Sequence, residues 1–166
     1  MEYQFDLNTK APLLSWDFFC AKYNSLMEDA EHYHQTALEI KKIAKANKWA
    51  KTQLQEALDN IQQYVIVITN PLQKIAVVGK GFYEMTGYSA SEAIGKNPKF
   101  LQGPATSNIS KNKVREKLNL NESTEMVLEN YRKNGEIYLC QILIKPVFNI
   151  NQQVVNFIAY EREIAA

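Results

Sequence analysis

Apolar side chains recur in a 3-4 alternation near the start of the chain: Trp16, Phe19, Tyr23, Leu26, Ala30, Tyr33, Ala37, Ile40 and Ala44. That is a period of about 3.5, the seam of a coiled coil. Neither Gly nor Pro occurs between Pro12 and Pro71, which permits long helix. The register meets polar residues at Asn47 and Lys51, then resumes at Leu54, Leu58 and Ile61. Ser15 is a candidate N-cap. Two readings stay open: a long helix that pairs with a second chain, or two helices broken near Ala46-Asn47 and folded onto each other or onto a sheet. The aromatic turn Trp16-Asp17-Phe18-Phe19 also fits a separate cap helix.

Near residue 63 the period changes. Tyr64-Val65-Ile66-Val67-Ile68-Thr69 is a β-branched apolar run and reads as a strand. Asn70-Pro71 turns the chain, and Lys74 to Val78 reads as a second strand. Gly81 to Gly87 reads as a short helix stopped by Gly. Ser89-Ala90-Ser91-Glu92 has the capping-box spacing and opens another, ended at Gly95. Thr106 or Ser107 could cap a helix through Leu118. Strands follow at about Met126 to Tyr131, Tyr138 to Val147 and Val154 to Ile164, with Asn134-Gly135 as a hairpin turn. Strand, strand, short helices and three strands give an α+β class. Residues 1–62 are expected to form a helical extension for dimerisation, and 63–166 a compact domain.

Composition narrows the function. With 46% hydrophobic residues over 166 positions, the chain can bury a core. A net charge of +1 gives no general attraction to nucleic acid or to an acidic membrane. The two cysteines, Cys20 and Cys140, form no CxxC pair and no disulfide framework. His32 and His34 are two apart and do not share a helix face. No apolar run reaches the roughly 18–20 residues of a membrane span. The Met1–Asp6 start lacks a signal peptide's basic and apolar regions. A cytoplasmic, reduced protein is expected.

Four motifs carry a family resemblance: Phe82-Tyr83-Glu84-Met85-Thr86-Gly87-Tyr88-Ser89; Glu92 to Asn97; Asn130-Tyr131-Arg132-Lys133-Asn134-Gly135-Glu136; and Phe157-Ile158-Ala159. Together they resemble the PAS domain family over roughly residues 62–164. The stretch Gly95-Lys96-Asn97-Pro98-Lys99-Phe100-Leu101-Gln102-Gly103 resembles the signature of the flavin-binding LOV subgroup. The resemblance implies a five-stranded antiparallel sheet with short helices on one face. It also implies a pocket for flavin mononucleotide (FMN). In LOV photoreceptors the residue after the Asn is the cysteine that attacks photoexcited flavin; here it is Pro98, which has no nucleophile.

The same resemblance assigns the remaining candidates. Lys99 and Arg115 match the two cations that meet the phosphate, a group that needs positive charge at the pocket mouth. Asn97 and Gln102 match contacts to the ribityl chain and ring, Asn130 an amide reading the pyrimidine edge, and Thr69 a small polar residue on the first strand. Ile94, Leu101, Ile142 and Ile144 would form apolar wall. Two positions depart from the pattern besides Pro98. Cys140 stands where a second ring-binding Asn is usual, and Glu161 where a Gln is usual. A carboxyl there must be neutral or bonded, because an unpaired buried charge is costly. Tyr83, Tyr88, Tyr131, Tyr138 and Tyr160 are candidate electron donors for thiol-free photochemistry.

No acid/base constellation or nicotinamide site is visible. The expected function is a non-enzymatic sensory module, a cysteine-less LOV-like photoreceptor that acts through a homodimer of its N-terminal helices. The chain shows no kinase, DNA-binding or cyclase segment, so an unknown downstream partner is expected. The alternative is a ligand-free PAS interaction module whose sheet face docks a partner.

Overall fold

A computed structural model describes residues 11–165, with side chains described from Trp16 onward. Helix α1 runs over Ala11–Ala46 and α2 over Lys51–Asn60. Strands β1 (Val65–Thr69) and β2 (Ile75–Val78) follow, then the short helices α3 (Phe82–Thr86) and α4 (Ala90–Ala93). A 3-10 turn at Pro98–Leu101 leads to α5 (Asn108–Asn119) and to β3 (Thr124–Tyr131), β4 (Ile137–Phe148) and β5 (Val154–Ile164). The five strands form one antiparallel sheet in the order β2-β1-β5-β4-β3. Residues 1–10 of the expected extension, including the Met1–Asp6 start, lie outside the described residues.

The sheet separates two cores. Val67, Leu128, Tyr138, Cys140, Ile142 and Ala159 face α3, α4 and the 3-10 turn. Ile66, Ile68, Val147, Ile158 and Tyr160 face α1 and α2. Burial on both faces explains why β1 is apolar at every position but its last instead of alternating. Short local signals fix the small helices. Ser89 and Glu92 form the expected capping box, with reciprocal backbone bonds of 3.3 and 3.0 Å. Ser107, not Thr106, caps α5. The Thr106 hydroxyl instead donates to the Glu129 carbonyl at 2.5 Å, stapling the loop before α5 to β3.

The helical extension follows the two-helix reading, with corrections. No separate cap helix forms at Trp16–Phe19, because α1 is continuous from Ala11; Ser15 therefore lies inside it, not at its N-cap. Lys48 has a positive φ of 54° and ends the rod. Asn47 and Trp49 turn inward and donate to Asn156 at 2.7 and 2.9 Å. Beyond that turn the register no longer forms an interchain seam: Leu54, Leu58 and Ile61 pack on the chain's own sheet. Ile40 and Ala44 do the same from the end of α1. A sheet face carrying Ile66, Ile68 and Ile158 must be covered, and the nearest apolar stripe in sequence covers it.

The first half of α1 makes fewer such contacts. Asp29 pairs with Lys80, whose ammonium also lies 4.4 Å from the centre of the Tyr33 ring. Ahead of this anchor Trp16, Phe19, Tyr23 and Leu26 remain exposed.

Candidate functional site

Between the inner sheet face, the 3-10 turn and α5 lies a cavity of about 90 Å³, partly open to solvent. Its floor is apolar sheet: Val67, Leu128, Ile142, Ile144, Phe157 and Ala159. Its lid is the Asn97–Lys99 stretch with Gln102, and its outer wall is the α5 face Lys111, Val114, Arg115 and Leu118. The Asn97 carboxamide oxygen accepts from the Lys99 N–H at 3.1 Å and so caps the 3-10 turn. Proline suits the first position of that turn, where no N–H is required. Gly103 closes the turn against β3, where an added Cβ would stand 2.4 Å from the Tyr131 ring.

Of the sequence-predicted residues, the structure brings Thr69, Asn97, Lys99, Gln102, Arg115, Ile142, Ile144 and Glu161 together around this cavity. Asn130 and Cys140 are buried beside it without lining it. Asn130 forms an isolated backbone bridge to Gln102, and the Cys140 thiol lies 4.0 Å from the Glu161 carboxylate. Two wall assignments are corrected. Ile94 ends α4 and is 52% exposed; Leu101 is buried in the core behind the turn. None of the five candidate donor tyrosines lines the cavity. Tyr160 points to the opposite face of the sheet, and Tyr131 is tied to the Ala105 N–H at 2.8 Å.

Sequence reasoning missed Gln73, Lys111, Val114, Leu118 and Phe157, among others. A signal for the α5 members existed. Lys111, Val114, Arg115 and Leu118 fall at i, i+3, i+4 and i+7, one face of a helix. Lys111, Lys99 and Arg115 thus converge on the mouth, and among the described residues none is paired with a carboxylate. Lys111 makes only a long bond, 3.4 Å, to the Gly103 carbonyl.

The inner end is polar. The buried Asn130 carboxamide and Tyr138 phenol face one another behind the cavity wall and, among the described residues, have no other side-chain partner. Glu161 is 3% exposed, and burial pushes its carboxyl up to about 7. Burial, reinforced by Glu161, also raises the Cys140 thiol and the Tyr138 phenol well above their ordinary values. The cavity therefore offers an apolar floor flanked by Lys99, Lys111 and Arg115, with the amides of Gln73, Asn97 and Gln102, the Thr69 hydroxyl and one buried carboxyl, Glu161, in its wall. Among the described residues no cluster of three or more His, Cys, Asp or Glu is placed to hold a metal, and no helix is long and apolar enough to cross a membrane.

Residues 63–166 match the PAS domain family model. A blue-light photoreceptor of Listeria innocua is 34% identical over 108 residues, covering 63% of this chain and 42% of that protein. Phototropin-2 of Oryza sativa is 35% identical over 115 residues, 68% of this chain and 13% of that protein. The chain thus spans less than half the length of these curated relatives. A solved structure described as "Flavin Analogue Sheds Light on Light-Oxygen-Voltage Domain Mechanism" aligns with a TM-score of 0.63 at 34% identity, covering 66% of this chain and 85% of that one. The dark structure of the Aureochrome1 LOV domain gives a TM-score of 0.62 at 29% identity, covering 68% and 83%. With its matched motifs, its five-stranded sheet and its cavity under the 3-10 turn, the chain belongs to the PAS domain family and is similar to its LOV members.

Proposed function

We propose that this chain is a sensory domain that binds FMN and signals without catalysing a reaction. The observation that supports this best is the cavity, whose apolar floor is flanked by three cations that, among the described residues, no carboxylate pairs with. Lys99, Lys111 and Arg115 would hold the phosphate; Arg115 can do so with a bidentate fork, the lysines as point charges. Thr69, Asn97 and Gln102 would contact the ribityl chain and ring. Val67, Leu128, Ile142, Ile144, Phe157 and Ala159 would bury the ring, at roughly 25 cal/mol per Å² of apolar surface. The flavin would supply absorption of blue light. Pro98 offers no thiol, so no bond from residue 98 to the ring can form.

Purified protein, titrated with FMN if colourless, is expected to show the structured blue absorption band of bound flavin. Arg115→Ala should weaken FMN binding about 10- to 100-fold, the loss of one charge-assisted pair worth ~1.5–3 kcal/mol, while riboflavin binding changes little. A protein that stays colourless with excess FMN would sink the flavin reading and leave a ligand-free interaction module.

We further propose that the signal is read by a second copy of the chain, paired along the first half of α1. Trp16, Phe19, Tyr23 and Leu26 keep the 3-4 spacing of a helix-pairing seam, and the rings of Trp16, Phe19 and Tyr23 stack in sequence at 5.9 and 6.5 Å. Each aromatic side chain carries about 150–250 Å², so this stripe leaves on the order of 400–500 Å² of apolar surface bare. That matches the apolar share of a standard interface, about 57% of ~800 Å² per partner. Leu26 is 58% exposed. Leu26→Asp should therefore convert a dimer to a monomer in sedimentation or light scattering and leave the melting temperature of the domain unchanged. A wild-type protein that is monomeric at high concentration would rule this pairing out.

A further inference from the structure

The cavity wall contains one carboxyl group, and its surroundings constrain its charge. Glu161 lies on β5 between two apolar cross-strand neighbours, Val65 on β1 and Ile142 on β4. It is 3% exposed and lines the cavity, and its one side-chain hydrogen-bond partner is the Cys140 thiol at 4.0 Å. The charged and titratable groups around it do not neutralise it. From β4, Cys140 and Tyr138 are held neutral by burial. Lys99 from the 3-10 turn and Lys111 and Arg115 from α5 line the same cavity, but none makes an ion pair with Glu161. Arg132 is committed to Glu136 and Glu163. Glu161 also lines a shallow surface cleft that carries Tyr33, Tyr64, Lys80, Glu84, Arg162 and Glu163, of which Lys80 is committed to Asp29. An ionised carboxylate here would be desolvated and without a counter-charge.

We propose that Glu161 stands in the cavity as a neutral carboxylic acid, donates a hydrogen bond to an acceptor atom on the ligand's ring edge, and so ties ligand binding to one proton. The inference deepens the flavin reading above and rests on it for the ligand's identity. A carboxylic acid differs here from an amide. An amide donates at every pH, whereas the acid donates only while protonated; once ionised it presents negative charge to the same acceptor atom. The site therefore selects an acceptor-bearing ring edge, and does so only while Glu161 holds its proton. Its affinity should fall as pH rises through the titration of Glu161, which burial moves into the neutral range.

FMN titrations of wild type and Glu161→Gln between about pH 5.5 and 9 test this. The FMN phosphate titrates alike with both proteins, so the ratio of affinities isolates Glu161. Wild-type binding is expected to weaken by about tenfold per pH unit above neutrality relative to Glu161→Gln. A ratio independent of pH overturns the proposal. Infrared spectroscopy of the ligand-free wild type gives an independent answer. A carboxylic-acid carbonyl band present in mild acid, lost in alkali and absent from Glu161→Gln supports it; a carboxyl group ionised throughout overturns it. If neither protein binds FMN at any pH, the flavin reading fails, and the infrared result alone decides whether Glu161 is the cavity's proton donor.

Discussion

Asn156→Ala is expected to destabilise the protein by about 3 kcal/mol, the loss of three buried hydrogen bonds at ~1 kcal/mol each with unsatisfied partners left behind. Asn156 is 1% exposed on β5. Its carboxamide oxygen accepts from Asn47 and from the Trp49 indole, and its amide donates to the Thr69 carbonyl at 2.9 Å. One side chain thus joins the α1–α2 turn to the end of β1, whose Thr69 also lines the cavity. The alanine variant leaves the buried indole N–H and the Thr69 carbonyl without partners. Chemical denaturation should register the loss, and hydrogen exchange should show faster exchange at Trp49 and Ala50, whose N–H groups bond Ala44 and Phe148. A change below ~0.5 kcal/mol for Asn156→Ala, the level of a neutral surface substitution, would show that the turn is held by other contacts.

Glu161→Gln is expected to leave stability near pH 4 almost unchanged and to raise it by about 3 kcal/mol near pH 8. The sign follows from burial. In the folded protein the carboxyl is raised from 4.5 to about 7. Between those values the native state holds a proton that the unfolded chain has released. Wild-type stability therefore falls as pH rises through that window and levels off above it. Glutamine is the neutral isostere and escapes the penalty. Paired denaturation curves of the ligand-free proteins, compared as a difference at each pH, remove every other titrating group. A difference that does not change between pH 4 and 8 would mean that Glu161 titrates as it does in the unfolded chain.

Much of the inner half of the fold could be read from the chain because its signals are local. The β-branched run at 65–69, the Ser89–Glu92 capping box and the Asn134-Gly135 turn each act over a few residues. The structure places eight of the twelve candidate pocket residues around one cavity for the same reason: they sit in segments whose spacing the backbone preserves. The failures are of two kinds. Ile94 and Leu101 are apolar residues in the right segment, but which way each side chain points depends on how α4 ends and how the 3-10 turn packs. Lys111 was passed over because a lysine on a polar helix ordinarily faces water; it counts only once Arg115, one turn along, is seen to face the cavity.

The sequence by itself determined the chemistry that residue 98 lacks, since no packing can give proline a thiol. It also determined where helix could run unbroken, because that depends on the absence of Gly and Pro. Only the tertiary structure decided what the apolar stripe of that helix covers. A 3.5-residue period specifies a strip of hydrophobic surface and is silent about its partner. Here one strip is divided at Asp29 and Tyr33. Beyond that anchor, Ile40, Ala44 and then Leu58 of α2 complete the chain's own core, because the outer face of β1 and β5 lies within reach. Before it, Phe19, Tyr23 and Leu26 stay exposed, since among the described residues no apolar surface covers them.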